Sequence, residues 1–159
     1  MTIPKTEIKG IFERIALAAV CSLLFVSVFC RADDFVRAGT VVAARGNITN
    51  GTGHPLLQGS NVYIGDEITT LEKSFVVIQF YDGAKITVRP ASTIVIDAYT
   101  PEKSQISLVE GGLRVITGAL AKEDPDSYKI KTPVALLGVR GTEFAVMLCD
   151  KKVCEIDVK

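Results

Sequence analysis

From residue 38 onward the chain alternates, with short apolar or β-branched runs cut by Gly, Pro, Asn or Asp. Ser74–Tyr81 shows the pattern best: Phe75, Val77, Gln79 and Tyr81 point one way, and Val76, Ile78 and Phe80 the other. A period of two over such a run predicts a β-strand. Asp82-Gly83 follows directly and Ala84–Val88 resumes the pattern, which predicts a hairpin with a type I′ turn. Arg89-Pro90 ends that strand, because Pro has no ladder N–H. Further strands are predicted at Thr40–Ile48, Glu67–Thr70, Thr93–Ala98, Gln105–Val109 and Leu113–Thr117. Tyr128–Lys131, Val134–Val139, Thr142–Cys149 and Val153–Lys159 complete the set. Asn50-Gly51-Thr52-Gly53 and Gly111-Gly112 punctuate them, and Ala119–Ser127 reads as a polar loop around Asp124-Pro125. Ser74–Tyr81 and Thr142–Cys149 are apolar enough to be buried on both faces.

About ten short strands with a turn signal every 8–12 residues predict an all-β fold: one domain, a twisted sandwich or roll, or a solenoid-like stack. No linker or strict repeat divides the chain.

The N-terminus departs from this pattern. A polar start carrying Lys5, Lys9 and Arg14 precedes the uncharged run Ile15–Phe29, and Cys30-Arg31-Ala32 follows. That is the three-part layout of a secretory signal, too short for a spanning helix. Residues 1–32 are expected to be a signal helix cleaved after Ala32, leaving residues 33–159 as the domain. The only membrane contact expected is through that segment if it is uncleaved.

Export changes the arithmetic. The whole chain has 18 basic and 18 acidic residues. Loss of Lys5, Lys9, Arg14 and Arg31 leaves 14 basic, and loss of Glu7 and Glu13 leaves 16 acidic, a net charge of −2. No basic surplus exists to hold a phosphate backbone, so no nucleic acid is expected. Absence of Trp weakens any aromatic sugar platform. Cys149 and Cys154 become the only cysteines, in an oxidising compartment. Four residues separate them, as at a hairpin tip, so a disulfide is expected. Pairing Cys149 with Cys154 sets Met147 opposite Ile156 and Ala145 opposite Val158. The other face then holds Phe144, Val146 and Leu148 beside Glu155 and Asp157.

The candidate chemistry is thin. Asp66, Asp82 and Asp97 are far apart and fit turn capping better than calcium binding. His54 has no His or Cys partner for zinc. No serine sits in a G-x-S-x-G context. Gly138-Val139-Arg140-Gly141-Thr142 lacks the Lys-Ser/Thr ending of a phosphate loop, and reads as a bend between strands. Glu110 and Asp97 are the least poor acid–base pair for an envelope enzyme acting on polysaccharide. No catalytic residue, cofactor or metal is expected.

Four blocks, in order, carry a resemblance. The first is Leu57-x-Gly59-x-x-Val62-x-x-Gly65-Asp66-x-Ile68-x-Thr70. The second is Ser74-x-Val76-x-Ile78-x-Phe80-x-Asp82-Gly83-x-x-Ile86-x-Val88-x-Pro90. The third is Val109-x-Gly111-Gly112-Leu113-Arg114. The fourth is Lys131-Thr132-Pro133-x-Ala135-x-x-Gly138-Val139-Arg140-Gly141-Thr142-x-Phe144. Together, from about Ala38 to about Val158, they resemble the FecR domain, a bacterial extracytoplasmic module. The resemblance implies an exported, non-enzymatic protein of the periplasm or cell envelope. It would act as a protein-binding or scaffold module with envelope proteins as partners. The family's best-known members sense outer-membrane receptors and regulate sigma factors in iron uptake, so a sensory regulator acting with a separate partner is the alternative. Only 14 residues precede the apolar run, too few for the cytoplasmic domain of such a regulator. Family members usually return with another strand after the Phe144 strand, and this chain stops at Lys159, at about that strand, so an incomplete C-terminal edge is expected.

Overall fold

The computed structural model describes residues 36–124, 126–139, 143–149 and 152–158. The expected signal segment and cleavage point, and Arg140, Gly141 and Thr142, lie outside the described residues. Thirteen strands and one short helix follow in order. They are β1 (Arg37–Arg45), β2 (Ile48–Asn50), β3 (Asn61–Tyr63), β4 (Glu67–Thr70), β5 (Phe75–Phe80), β6 (Lys85–Val88) and β7 (Ser92–Tyr99). After them come β8 (Ser104–Glu110), β9 (Gly112–Ile116), α1 (Ala119–Glu123), β10 (Tyr128–Lys131), β11 (Leu136–Gly138), β12 (Glu143–Cys149) and β13 (Lys152–Val158).

These strands form two sheets packed as a sandwich, the first of the expected all-β forms. One sheet runs β13-β12-β9-β6-β5-β1-β3, and the other β11-β10-β8-β7-β4-β2. Pairing is antiparallel except between β8 and β10, which run parallel. Alternation fills the space between the sheets. Val76, Ile78 and Phe80 of β5 meet Ile86 and Val88 of β6, Ile94 and Ile96 of β7, and Ile106 and Leu108 of β8, all buried. Each such side chain removed from water contributes about 1.5–3 kcal/mol. The opposite faces are wetter than expected. Phe75, Val77, Ala145 and Met147 are only half-buried, so β5 and β12 are covered on one face.

The described strands change sheet eight times, and five of these crossings turn on a single residue with positive φ: Gly46, Gly65, Lys73, Ala91 and Gly111. Four of these corners stack along one rim. Leu71 N–H donates to Asn47 O (3.1 Å), Ala91 N–H to Leu71 O (3.2 Å), and Arg89 N–H to Gly112 O (2.9 Å). Buried hydroxyls satisfy donors that the broken ladders leave free. Asn47 N–H donates to Ser74 Oγ (2.9 Å), Ser92 N–H to Thr70 Oγ1 (3.1 Å), and Gly112 N–H to Ser92 Oγ (2.9 Å). The predicted strand Thr40–Ile48 is therefore two strands. It breaks at Gly46, where the chain leaves one sheet for the other.

Two further expectations change. The Asp82-Gly83 hairpin joins β5 to β6, but only Gly83 has positive φ. Phe80 N–H donates to Ala84 O and Gly83 N–H to Phe80 O. This is a three-residue loop ending in a left-handed Gly, not a type I′ turn, which needs positive φ at both central residues. The loop expected at Ala119–Ser127 holds the one-turn helix α1.

Candidate functional site

Asp82 joins a buried polar cluster. Its Oδ1 accepts the backbone N–H of Ala84 (2.9 Å), the expected turn capping, and also the hydroxyl of Tyr99 (2.6 Å). Its backbone carbonyl accepts Ala119 N–H (3.0 Å), tying α1 to the hairpin. Tyr99 stacks on Phe80 at 4.1 Å and meets Tyr81 and Tyr128 edge-on. Ser104 is the strand partner of both Tyr99 and Tyr128. Asp82 Oδ2, Ser104 Oγ and Tyr128 Oη are buried with no hydrogen-bond partner among the described residues. The cluster was not legible in the sequence, because Asp82, Tyr99 and Tyr128 are far apart in the chain and Tyr99 lies just past the predicted strand Thr93–Ala98.

Its electrostatics favour holding protons. Burial raises the Tyr99 hydroxyl far above the usual tyrosine range, and the neighbouring Tyr128 and Asp82 add to the shift. Burial likewise raises Tyr128. Phenols held in the protonated form are donors near neutral pH, not general bases.

The other candidate carboxylates are scattered. Asp66 Oδ2 accepts Tyr63 N–H (2.8 Å) at the β3–β4 corner. Asp97 lies on the outer face of β7 and accepts the Ser107 hydroxyl (2.6 Å). Glu110 pairs with Thr93, at the far end of the β7–β8 hairpin from Asp97. Four residues of strand separate those levels, about 13 Å at 3.3 Å each. That exceeds the 5–9.5 Å of glycosidase carboxylate pairs. Among the described residues, no group of three or more His, Cys, Asp or Glu is placed to hold a metal. His54 is exposed in the loop after β2, its N–H bound to Asn50 Oδ1 (2.8 Å). A cleft of about 340 Å³ runs along β1 and β5 between Arg37, Thr40, Gln79 and Tyr81.

The motif residues mostly shape the chain. Gly65 and Gly111 are corners, and Gly112 opens β9. Thr132 closes the turn before β11 by donating to Ala135 O (3.0 Å) and accepting Ala135 N–H (3.0 Å), with Pro133 exposed inside it. Phe144 is buried in the core.

Exposed large apolar side chains are spread over the surface, among them Leu57, Leu71 and Tyr81, and four of them lie on or beside the end strands β11 and β13. Val134 and Leu136, at the β11 edge, are 60% and 58% exposed. Ile156 and Val158, on the edge strand β13, are 50% and 53% exposed. Cys149 and Cys154 are bridged, with Cα atoms 5.6 Å apart, inside the range a disulfide tolerates. The register around the bridge differs from expectation. Leu148 pairs with Val153 and Met147 with Glu155, so Cys154 sits unpaired in a bulge and Cys149 faces Lys152. One extra residue reverses which side chains face the core. Ile156 and Val158 pair with the buried Val146 and Phe144, while Glu155 and Asp157 lie on the outer face beside Met147 and Ala145.

The bridge suits an oxidising, extracytoplasmic setting. No curated protein and no solved structure matches this chain. The model of one family, described as FecR protein, matches residues 66–158, more than half of the sequence. The match opens at Asp66, inside the first motif block, so β1–β3 precede it although they share the two sheets. Its members are not known as enzymes. With the sandwich, the ordered motifs and this match together, the chain belongs to the FecR family.

Proposed function

We propose that this protein is a non-enzymatic, exported module of the bacterial cell envelope that acts by binding other envelope proteins. The observation that carries the reading is the placement of Val134, Leu136, Ile156 and Val158. All four are apolar and at least half exposed, and they gather on the outermost strands and their flanking turn at one end of each sheet. An exposed edge strand offers unpaired N–H and C=O groups beside that apolar surface. Envelope association of the family agrees with this reading.

Capture from envelope extracts tests it, using the exported form as bait and an Ile156→Lys, Leu136→Lys variant as control. A defined envelope protein should be retained by the native domain and lost by the variant. Equal recovery by both would contradict the reading. Recovery of a sigma-factor pathway component would favour the sensory regulator instead.

A further inference from the structure

Among the described residues, β13 pairs with β12 along one backbone edge and with no strand along the other. Its two faces differ in chemistry. Ile156 and Val158 continue the inner, apolar rows that pass through Val146 and Phe144, and those rows stop at solvent. Glu155 and Asp157 stand on the outer face. Among the described residues neither carboxylate has a hydrogen bond or an ion pair, and their strand neighbours Met147 and Ala145 are uncharged. The free edge is thus apolar on one side and acidic on the other.

We propose that β13 is a docking edge for strand addition. Its occupant is an extended segment of a partner protein that alternates apolar residues with Lys or Arg. Main-chain hydrogen bonds would supply affinity, and alternate side chains would supply specificity. Apolar residues of the segment would extend the Val146–Ile156 and Phe144–Val158 rows. Basic residues would stand opposite Glu155 and Asp157, where opposite charges stabilise a cross-strand pair. A second copy of β13 fits poorly. Antiparallel self-pairing about Ile156 sets Glu155 of each copy against Asp157 of the other, and like charges directly opposite are destabilising. The Cys149–Cys154 bridge anchors the start of the strand and keeps the bulge that turns Ile156 and Val158 inward. This proposal rests on the protein-binding reading above and names the partner's chemistry.

The test uses the exported form and two synthetic nine-residue peptides, one alternating Lys with Val and Ile, the other with Glu in place of Lys. Backbone amide shifts and hydrogen exchange across β13 give the readout, with an exposed charge-reversal variant, Glu155→Lys, Asp157→Lys. The Lys peptide should protect amides of β13 and leave β3 and β2 unchanged. The variant should bind it about tenfold more weakly, the change expected from roughly 1.4 kcal/mol, and should prefer the Glu peptide. Protection of β13 by self-association without peptide would assign the edge to a second copy and overturn the proposal. So would binding that ignores the charge reversal, or binding away from β13. If neither peptide binds while capture of an envelope protein persists, strand addition falls and the protein-binding reading stands. If capture fails too, both fall.

Discussion

Tyr99 donates its hydroxyl to Asp82 Oδ1 at 2.6 Å, and so joins the β5–β6 hairpin turn of one sheet to β7 of the other. The bond crosses the sandwich where the ladders cannot. A hydrogen bond to a charged acceptor is worth about 1.5–3 kcal/mol. A double-mutant cycle of Tyr99→Phe and Asp82→Ala, read by denaturant unfolding, should return a coupling of that size. Additive single effects would mean the bond does not stabilise the fold.

Alkaline pH should undo the same cluster. Tyr99 and Tyr128 titrate above their unfolded value of about 10. A raised folded pKa gives stability that is complete below about pH 10 and is lost as pH rises through the folded value. With both phenols still protonated in the folded state, the loss should approach about 2.7 kcal/mol per pH unit above 10. Absorbance at 295 nm should show two tyrosines ionising only as the protein unfolds. A Tyr99→Phe, Tyr128→Phe variant should lose this slope.

Two glycines should differ in cost. Both have positive φ, but a Cβ on Gly83 would meet nothing within 4 Å, whereas one on Gly111 would press into Ser92 and the Ala91 carbonyl. Gly83→Ala should cost about 1–2 kcal/mol, the strain of a left-handed L-residue. Gly111→Ala should cost more, because the stacked corners must separate. Replacing Gly83 by Val should lower the melting temperature by several degrees. Thermal melts of these variants check the order.

Opening the disulfide should act locally. The loop is short, so the loss should be about 2 kcal/mol, toward the low end for such bridges. After Cys149→Ser, Cys154→Ser, amide exchange should accelerate across Lys152–Val158 while Val76, Ile78 and Ile106 remain protected. Equal acceleration in β5 would show that the bridge holds the whole sandwich.

Most strands were legible because their alternation survives folding. Ser74–Tyr81 contains β5, and Val76, Ile78 and Phe80 are the side chains that go inward. Pairing was not legible, since a period of two names a face but not a partner. The parallel β8–β10 ladder and the break at Gly46 are set by tertiary contacts. Short elements escaped too: β3 has three residues and α1 five, fewer than a period needs to show. The cysteine spacing gave the bridge, but a single bulged residue reversed the faces of β13. The apolar edge formed by Ile156 and Val158 was therefore visible only in the structure.

The end strands β11 and β13 are proposed to be contact surfaces for envelope proteins. Site-specific photo-crosslinking in intact cells tests this most directly. A photoreactive residue would replace Ile156 or Leu136 in turn, with Thr87, on the outer face of β6, as the reference site. A discrete crosslinked envelope protein is expected from Ile156 and Leu136 and none from Thr87. No crosslink from either edge, or the same product from all three positions, would contradict it.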